Sequence, residues 1–198
     1  MSTPVVPIVE AFSLTHAQIM DKTTSFKDAA LAGPSTDPEL DIYGVNNSSI
    51  EPQSDNYTNE GDDAELSKWY WITSADLSVQ QGYLSFPLIS KMTGSPISSS
   101  GSGLDVVYEM DLWHEDSFNV GAWPVLLRMP SKDRDGTPRT LTLGLYKVQF
   151  SPLAFDGPAY KDGLKVNLAG SALASPTDET GAVFPDGKKR IARVISHR

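Results

Sequence analysis

Trp69-Tyr-Trp-Ile-Thr-Ser-Ala-Asp-Leu-Ser-Val-Gln80 decides the fold class. Trp69, Trp71, Ala75, Leu77 and Val79 share one parity, while Tyr70, Ser74, Asp76, Ser78 and Gln80 mostly supply a polar other. Successive side chains on a strand point to opposite faces, so this pattern predicts a long strand with one buried face. The aromatic cluster Trp69-Tyr70-Trp71 reads as core on that strand rather than as a stacking platform for sugars or bases.

The same alternation recurs on both sides. After Gly82 the apolar positions switch to Leu84, Phe86 and Leu88, which suggests a bulge or sheet corner. Leu104, Val106, Tyr108, Met110 and Leu112 alternate with Asp105, Glu109 and Asp111, predicting a second long strand, through His114, with an acidic face. Leu141, Leu143 and Leu145 form one face of a further strand, and the phase shifts after Gly144 to Tyr146, Val148 and Phe150. Leu164, Val166 and Leu168 predict the next strand, and Ile191 to Ile195 the last. Ser131 to Arg139 reads as a hairpin tip with Gly136 at positive φ, and Pro185-Asp-Gly187 as a turn. Phe155-Asp-Gly-Pro158 and Lys161-Asp-Gly163 read as turns as well. A short helix is expected over Pro87–Thr93, entered through Pro87. Another is expected within residues 15–32, ended by Gly33-Pro34. Residues 33–66 read as long polar loops with a short strand near Ile42–Val45, and Ser95 to Gly103 as a flexible loop. Fourteen prolines and fifteen glycines spaced in this way fit a mainly β sandwich or barrel.

Charge is laid out unevenly. Residues 1–127 hold 18 Asp/Glu and 4 Lys/Arg, a net of −14, and residues 128–198 hold 7 and 12, a net of +5. Identical copies of such a chain attract one another head to tail if the two parts reach different surfaces; on charge alone the plainer reading is that both parts fold into one sandwich and the charges mix over its surface. The 198 residues suffice for one sizeable core. No apolar run is long enough for a membrane-spanning helix, and Met1 to Pro7 lacks the pattern of a secretory signal. With no cysteine there is no disulfide, thiolate or cysteine–metal chemistry. The one basic cluster, Lys188, Lys189, Arg190 and Arg193, reads as a solvated face, not a nucleic-acid patch.

Chemical motifs are sparse. His16, His114 and His197 are the only histidines. Trp113-His114-Glu115-Asp116 is the one local cluster of histidine with carboxylates, and it reads as a strand end entering a polar loop. Gly61-Asp62-Asp63 and Asp133-Arg-Asp135-Gly136 lack the register of a calcium loop, and turn chemistry explains both. Neither G-x-S-x-G, a Walker-type phosphate loop nor G-x-G-x-x-G occurs. The expectation is therefore no enzyme, no cofactor and no metal.

Three ordered runs resemble major tail (tail tube) proteins of long-tailed, siphovirus-type phages, chiefly those of actinobacteria. They are Asp41-Ile-Tyr-Gly-Val-Asn46, Glu60 to Trp71, and Ser78 to Gly94. Leu145 to Phe150, Phe155-Asp-Gly-Pro158, Tyr160 to Asn167, Phe184-Pro-Asp-Gly187 and Val194-Ile195 continue the likeness, which covers roughly residues 40–196. The resemblance implies a β-sandwich subunit with a flanking short helix and long loops. It implies that six copies close their inner strands into a β-barrel and that rings stack into a tube conducting DNA. Partners would be further copies, other tail proteins such as tape measure and terminator, and passing DNA without sequence-specific binding. The location would be the virion, with assembly in the host cytoplasm and no membrane. The chain is expected to be a single domain, 1–198, with an N-terminal arm (1–40), a flexible loop (91–103) and a C-terminal segment (184–198). Six copies at −9 each would give a ring of −54. DNA carries one negative charge per ~1.7 Å of axis, so an acidic lumen would repel it. Asp105, Glu109 and Asp111 are the expected lumen-facing residues, and Lys188, Lys189, Arg190 and Arg193 the expected inter-subunit basic residues. The alternatives are a capsid decoration or tail-terminator protein, and a carbohydrate-binding β-sandwich built on Trp69, Trp71, Trp113 and Trp123.

Overall fold

The structure is a computed structural model and describes residues 9–11, 14–34, 37, 40–42, 45–61, 64–83, 85–112, 121–156 and 165–197. Along the chain run β1 (Val9–Ala11), β2 (His16–Ile19), α1 (Phe26–Ala32), β3 (Asp41–Ile42), β4 (Val45–Gly61) and β5 (Ala64–Gln81). There follow α2 (Phe86–Thr93), β6 (Ser98–Ser100), a 3-10 turn at Gly103–Asp105, and β7 (Val107–Glu109). The rest is β8 (Trp123–Asp133), β9 (Pro138–Phe150), β10 (Ala154–Asp156), β11 (Lys165–Leu173) and β12 (Ala192–His197). The mainly β class expected from the alternation is the class observed.

Ten strands form one antiparallel sheet in the order β3-β2-β8-β9-β11-β5-β4, with β1 on β8, β10 on β11 and β12 on β9. β8 pairs along nearly all of β9. The opposite edge of β9 is shared, with Thr140–Leu145 pairing β12 and Val148–Phe150 pairing β11. The two wings that meet there bury one common cluster. Ala17, Ile19, Val125, Leu127, Leu145 and Val148 enter it from one wing, and Ala75, Leu77, Val79, Val166, Leu168 and Ala172 from the other. Leu88, Ile89 and Met92 of α2 join the same cluster. This is sandwich-like packing, with the long strand of the opening motif contributing its odd-numbered face.

A second cluster sits on the other face of β8 and β9. Met20, Phe26, Ala29, Leu126, Tyr146 and Phe184 compose it, with Ile195 against it. Leu126 and Leu127, like Leu145 and Tyr146, are neighbours in sequence and go to different clusters. Adjacent strand residues face opposite ways, so α2 and α1 cover opposite faces of this wing. The phase shift expected after Gly144 is present: Leu143 and Leu145 before it, and Val148 and Phe150 after it, serve the same cluster, and the register with β8 shifts between Trp123 and Val125 opposite this stretch. A Cβ at Gly144 would lie 2.5 Å from Cδ2 of Phe26, so the glycine marks where α1 sits down on the sheet.

Both helices follow their local signals. Ser25 and Ser85 cap the N-termini by accepting from the backbone N–H groups of Asp28 and Leu88. Gly94 ends α2 in the left-handed conformation. The hairpin tip between β8 and β9 has Gly136 at φ 84° as expected.

The helix expected within residues 15–32 is Phe26–Ala32, ended at Gly33, and His16–Ile19 before it is a strand. Three expectations are corrected. Residues 33–66 are not chiefly loop, because β4 spans Val45–Gly61 and pairs with β5 throughout. Both faces of that strand's outer part are solvated, so it carries no alternation to detect. Ser95–Gly103 is not all loop, since Ser98–Ser100 is β6. The long strand expected from Leu104 toward His114 does not form. Gly103–Asp105 is a 3-10 turn and only Val107–Glu109 is extended, in a two-stranded sheet with β6. Leu84, Trp113–Asp116, Asp62–Asp63, Gly157–Pro158 and Lys161–Gly163 lie outside the described residues.

Candidate functional site

The surfaces that could serve assembly are built from three segments. The first is the wing β11-β5-β4. Because Ala75, Leu77 and Val79 point into the core, Ser74, Asp76, Ser78 and Gln80 point out. Register places Asn47 beside Gln80, Ser49 beside Ser78 and Glu51 beside Asp76 on β4, with Asn167 beside Gln80 and Ser171 beside Asp76 on β11. Side-chain bonds knit this face together. Gln53 Nε2 donates to Asp76 Oδ2 at 2.9 Å, Ser171 Oγ to Asp76 Oδ1 at 3.0 Å, and Ser78 Oγ to Asn167 Oδ1 at 3.0 Å. The face carries carboxylates and neutral polar groups, and no Lys or Arg occurs in residues 45–53, 74–81 or 166–173.

β5 leaves the sheet beyond this face. β11 pairs with it only over Ser74–Gln81, whereas β4 follows it out to Gly61 and Ala64. The outer part is thus a two-stranded ribbon whose register shifts between Gln53 and Ser54. Trp71 and Ile72 are 46% and 58% exposed there, so the aromatic cluster is not core at Trp71. The strand was legible, but its reach past the core was not. β4 ends the sheet, and among the described residues its outer edge pairs with no strand.

The second segment is the finger β6–β7. Its strands pair only with each other, through Ser98–Glu109, Ser99–Tyr108 and Ser100–Val107, among the described residues. Leu104 is wholly exposed, and Val107 and Tyr108 are exposed beside it. Asp105, Glu109 and Asp111 stand on this finger or at its root. They are not alternate residues of a sheet strand, so the geometric ground for placing them along a barrel wall falls away.

The third segment is the strap before and into β12. Ser175 bridges to Arg190 and Thr177 to Val183, and Gly187 at φ 66° turns the chain. Arg190 Nη2 donates to Asp186 Oδ2 at 2.9 Å, and its guanidinium lies 4.5 Å from the Phe184 ring centroid. The hydrogen bond from Arg190 holds the Asp186 carboxyl below its usual range. Lys188, Lys189 and Arg193 are exposed, and no ion pair holds them among the described residues.

One polar cluster had no sequence signal. Arg128 of β8 is buried, and its guanidinium donates to the carbonyls of Ala29 at 2.6 Å, Ala30 at 2.9 Å and Gly33 at 2.5 Å. It thereby satisfies the C-terminal end of α1, where a cation also suits the helix dipole. His16 Nε2 stands 3.1 Å from Asp41 Oδ1, an ion-pair approach without the alignment of a hydrogen bond. Burial pushes the Asp41 carboxyl up to about 6, and a backbone hydrogen bond partly opposes this. Burial, and then the nearby Arg128 charge, push His16 below its ordinary value. These groups tie β2, β3, β8 and α1 together, which is a structural arrangement. At the other end of α1, Glu179 accepts the Phe26 N–H at 2.6 Å across 153 residues of sequence. Among the described residues, no group of three or more His, Cys, Asp or Glu is placed to hold a metal ion, and no helix is long and apolar enough to cross a membrane.

No family model matches the chain, and no curated protein matches it. Among solved structures it is similar to a chain of the cryo-EM structure of the anti-feeding prophage (AFP) baseplate, 6-fold symmetrised. The identity is 11% and the TM-score 0.36, over 98% of this chain and 97% of that one.

Proposed function

We propose that this protein is a structural subunit of a phage tail tube, polymerising as stacked six-membered rings into the hollow conduit for DNA. The observation that carries the reading is the part of the β11-β5-β4 face built from residues 45–53, 74–81 and 166–173, where Asp76 and Glu51 sit among Ser, Asn and Gln and no Lys or Arg occurs. A surface that must pass DNA without holding it needs that composition, because phosphate adhesion depends on Lys and Arg releasing counterions. The open edge of β4 beside that face supplies the means of closure. Pairing it with a neighbour's strand would continue the sheet from copy to copy and remove an edge otherwise prone to uncontrolled pairing. The ordered sequence resemblance points the same way. On this reading the lumen is lined by the Asp76 face rather than by Asp105, Glu109 and Asp111. The role is structural, without catalysis, cofactor or metal. The partners are further copies, other tail proteins, and DNA in transit, and the location is the virion.

Sedimentation and negative-stain micrographs of the purified chain test this. Species that grow with concentration into hollow tubes or stacked sixfold rings are expected. A trimer or a single closed ring that never extends would instead indicate a decoration or terminator protein.

A further inference from the structure

The finger and the strap carry opposite charges. Residues 97–112 hold Asp105, Glu109 and Asp111 and no Lys or Arg, a net of −3. Residues 183–197 hold Lys188, Lys189, Arg190 and Arg193 against Asp186, a net of +3. Each also exposes apolar surface, with Leu104, Val107 and Tyr108 on the finger and Val183 on the strap. Met110 and Leu112, at the root of the finger, pack against the cluster between the two wings. Phe184 and Ile195 pack into the cluster under α1, while Ile191 reaches the cluster between the wings, so both segments are anchored to the core and present their charged residues outward.

We propose that the β6–β7 finger of one copy docks on the Val183–Arg193 strap of a second copy, as a directional contact between subunits. Leu104, Val107 and Tyr108 cover Val183 and the aliphatic stems of Lys188 and Lys189. Asp105, Glu109 and Asp111 face Lys188, Lys189 and Arg193. Arg190 is engaged by Asp186 and Phe184 and serves to hold the strap in shape. Made once per pair of copies, the contact is heterologous, and repeating it generates rings or filaments. The contact rests on the self-assembly reading above only in taking a second copy as the partner.

The chain contains no cysteine, which makes a covalent test clean. Single-cysteine variants L104C and K188C are mixed under mild oxidation at concentrations where the native chain assembles. The 104–188 disulfide between copies should be the main product. Homodimers in statistical proportion, or no disulfide, would overturn the contact. In parallel, D105K/E109K/D111K should raise the assembly concentration by about tenfold or more at low salt, since apposed like charges cost several kcal/mol. An equal mixture with K188E/K189E/R193E should recover assembly, and a mixture as weak as either variant alone would count against the contact. Tubes without the 104–188 bond would sink the docking and spare the tube. That bond in species that never become tubes would uphold the docking and sink the tube.

Discussion

Replacing Gly144 by alanine adds one methyl group where the structure has no room for it. The new Cβ would lie 2.5, 2.6 and 2.7 Å from Cδ2, Cε2 and Cγ of Phe26. Carbon atoms prefer separations of ~3.5–4.0 Å, so the ring has to retreat by about 1 Å. Phe26 has nowhere to go. It is fully buried, it lies 5.2 Å from the Tyr146 ring, and Tyr146 is itself 5.1 Å from the Phe184 ring. Overpacking of this kind costs about 1–3 kcal/mol. Disturbing the aromatic arrangement adds roughly 0.5–1.5 kcal/mol. Removing a glycine from a strand interior returns roughly 0.5–1 kcal/mol. The net expectation is a loss of about 2 kcal/mol, or about 4–8 °C in Tm for a chain of this size. Urea unfolding below the assembly concentration reads it as a lower midpoint at unchanged slope. Phe26→Leu supplies the control, because the smaller side chain vacates the space. The double variant should lose less than the sum of the singles by more than about 0.5 kcal/mol. A Gly144→Ala protein as stable as the native one, or strict additivity with Phe26→Leu, would refute the packing argument.

Three further outcomes are expected. Arg128→Met keeps the stem but strips three carbonyls at the end of α1 of their donors. Leaving buried carbonyl acceptors unsatisfied costs about 1–3 kcal/mol, which chemical unfolding would register, while a loss under about 0.5 kcal/mol would mean that water serves those carbonyls equally well. Asp41 has a folded value raised to about 6 from 3.8, so its contribution to stability is present below 3.8 and lost as pH rises through about 6. His16 is lowered, so its contribution is present above 6.5 and lost as pH falls. Asp41→Asn should therefore gain on the native protein by on the order of 2 kcal/mol between about pH 4 and pH 7, and a pH-independent difference between the two would contradict the assignment. Assembly should weaken as salt takes the Debye length below ~8 Å, read by light scattering, and indifference to salt would show that the charge split plays no part in it.

The legible parts of the fold were those where burial imposed a period. Ala75, Leu77 and Val79 alternate because one face of β5 meets the core, and the turns at Gly136 and Gly187 follow from the need for positive φ. The outer part of β4 was illegible because neither face of Glu51–Asn56 is buried, and a solvated ribbon places no periodic demand on its side chains. Leu104 to Leu112 misled for the opposite reason. Its alternation is real, but Leu104 and Tyr108 are exposed while Met110 and Leu112 pack against the core, so the pattern does not report one long buried strand. The phase shift in β9 after Gly144 was legible because Leu145, Val148 and Phe150 serve one cluster across a register shift. As for the candidate surfaces, the acidic and basic segments were visible in the charge count. Their folding into a finger and a strap, and the Asp76 face that replaces Asp105, Glu109 and Asp111 as lumen candidate, depend on strand register that single residues do not encode. Arg128 reaching α1 and Glu179 capping Phe26 join distant parts of the chain and leave no local pattern.

A three-dimensional cryo-electron microscopy reconstruction of the assembled protein tests the central claim most directly. The account predicts open-ended hollow tubes of stacked sixfold rings, with Glu51, Asp76 and Ser78 facing the bore and β4 paired to a neighbouring chain. A closed oligomer that does not stack, or a bore lined by Lys188, Lys189 and Arg193, would contradict it.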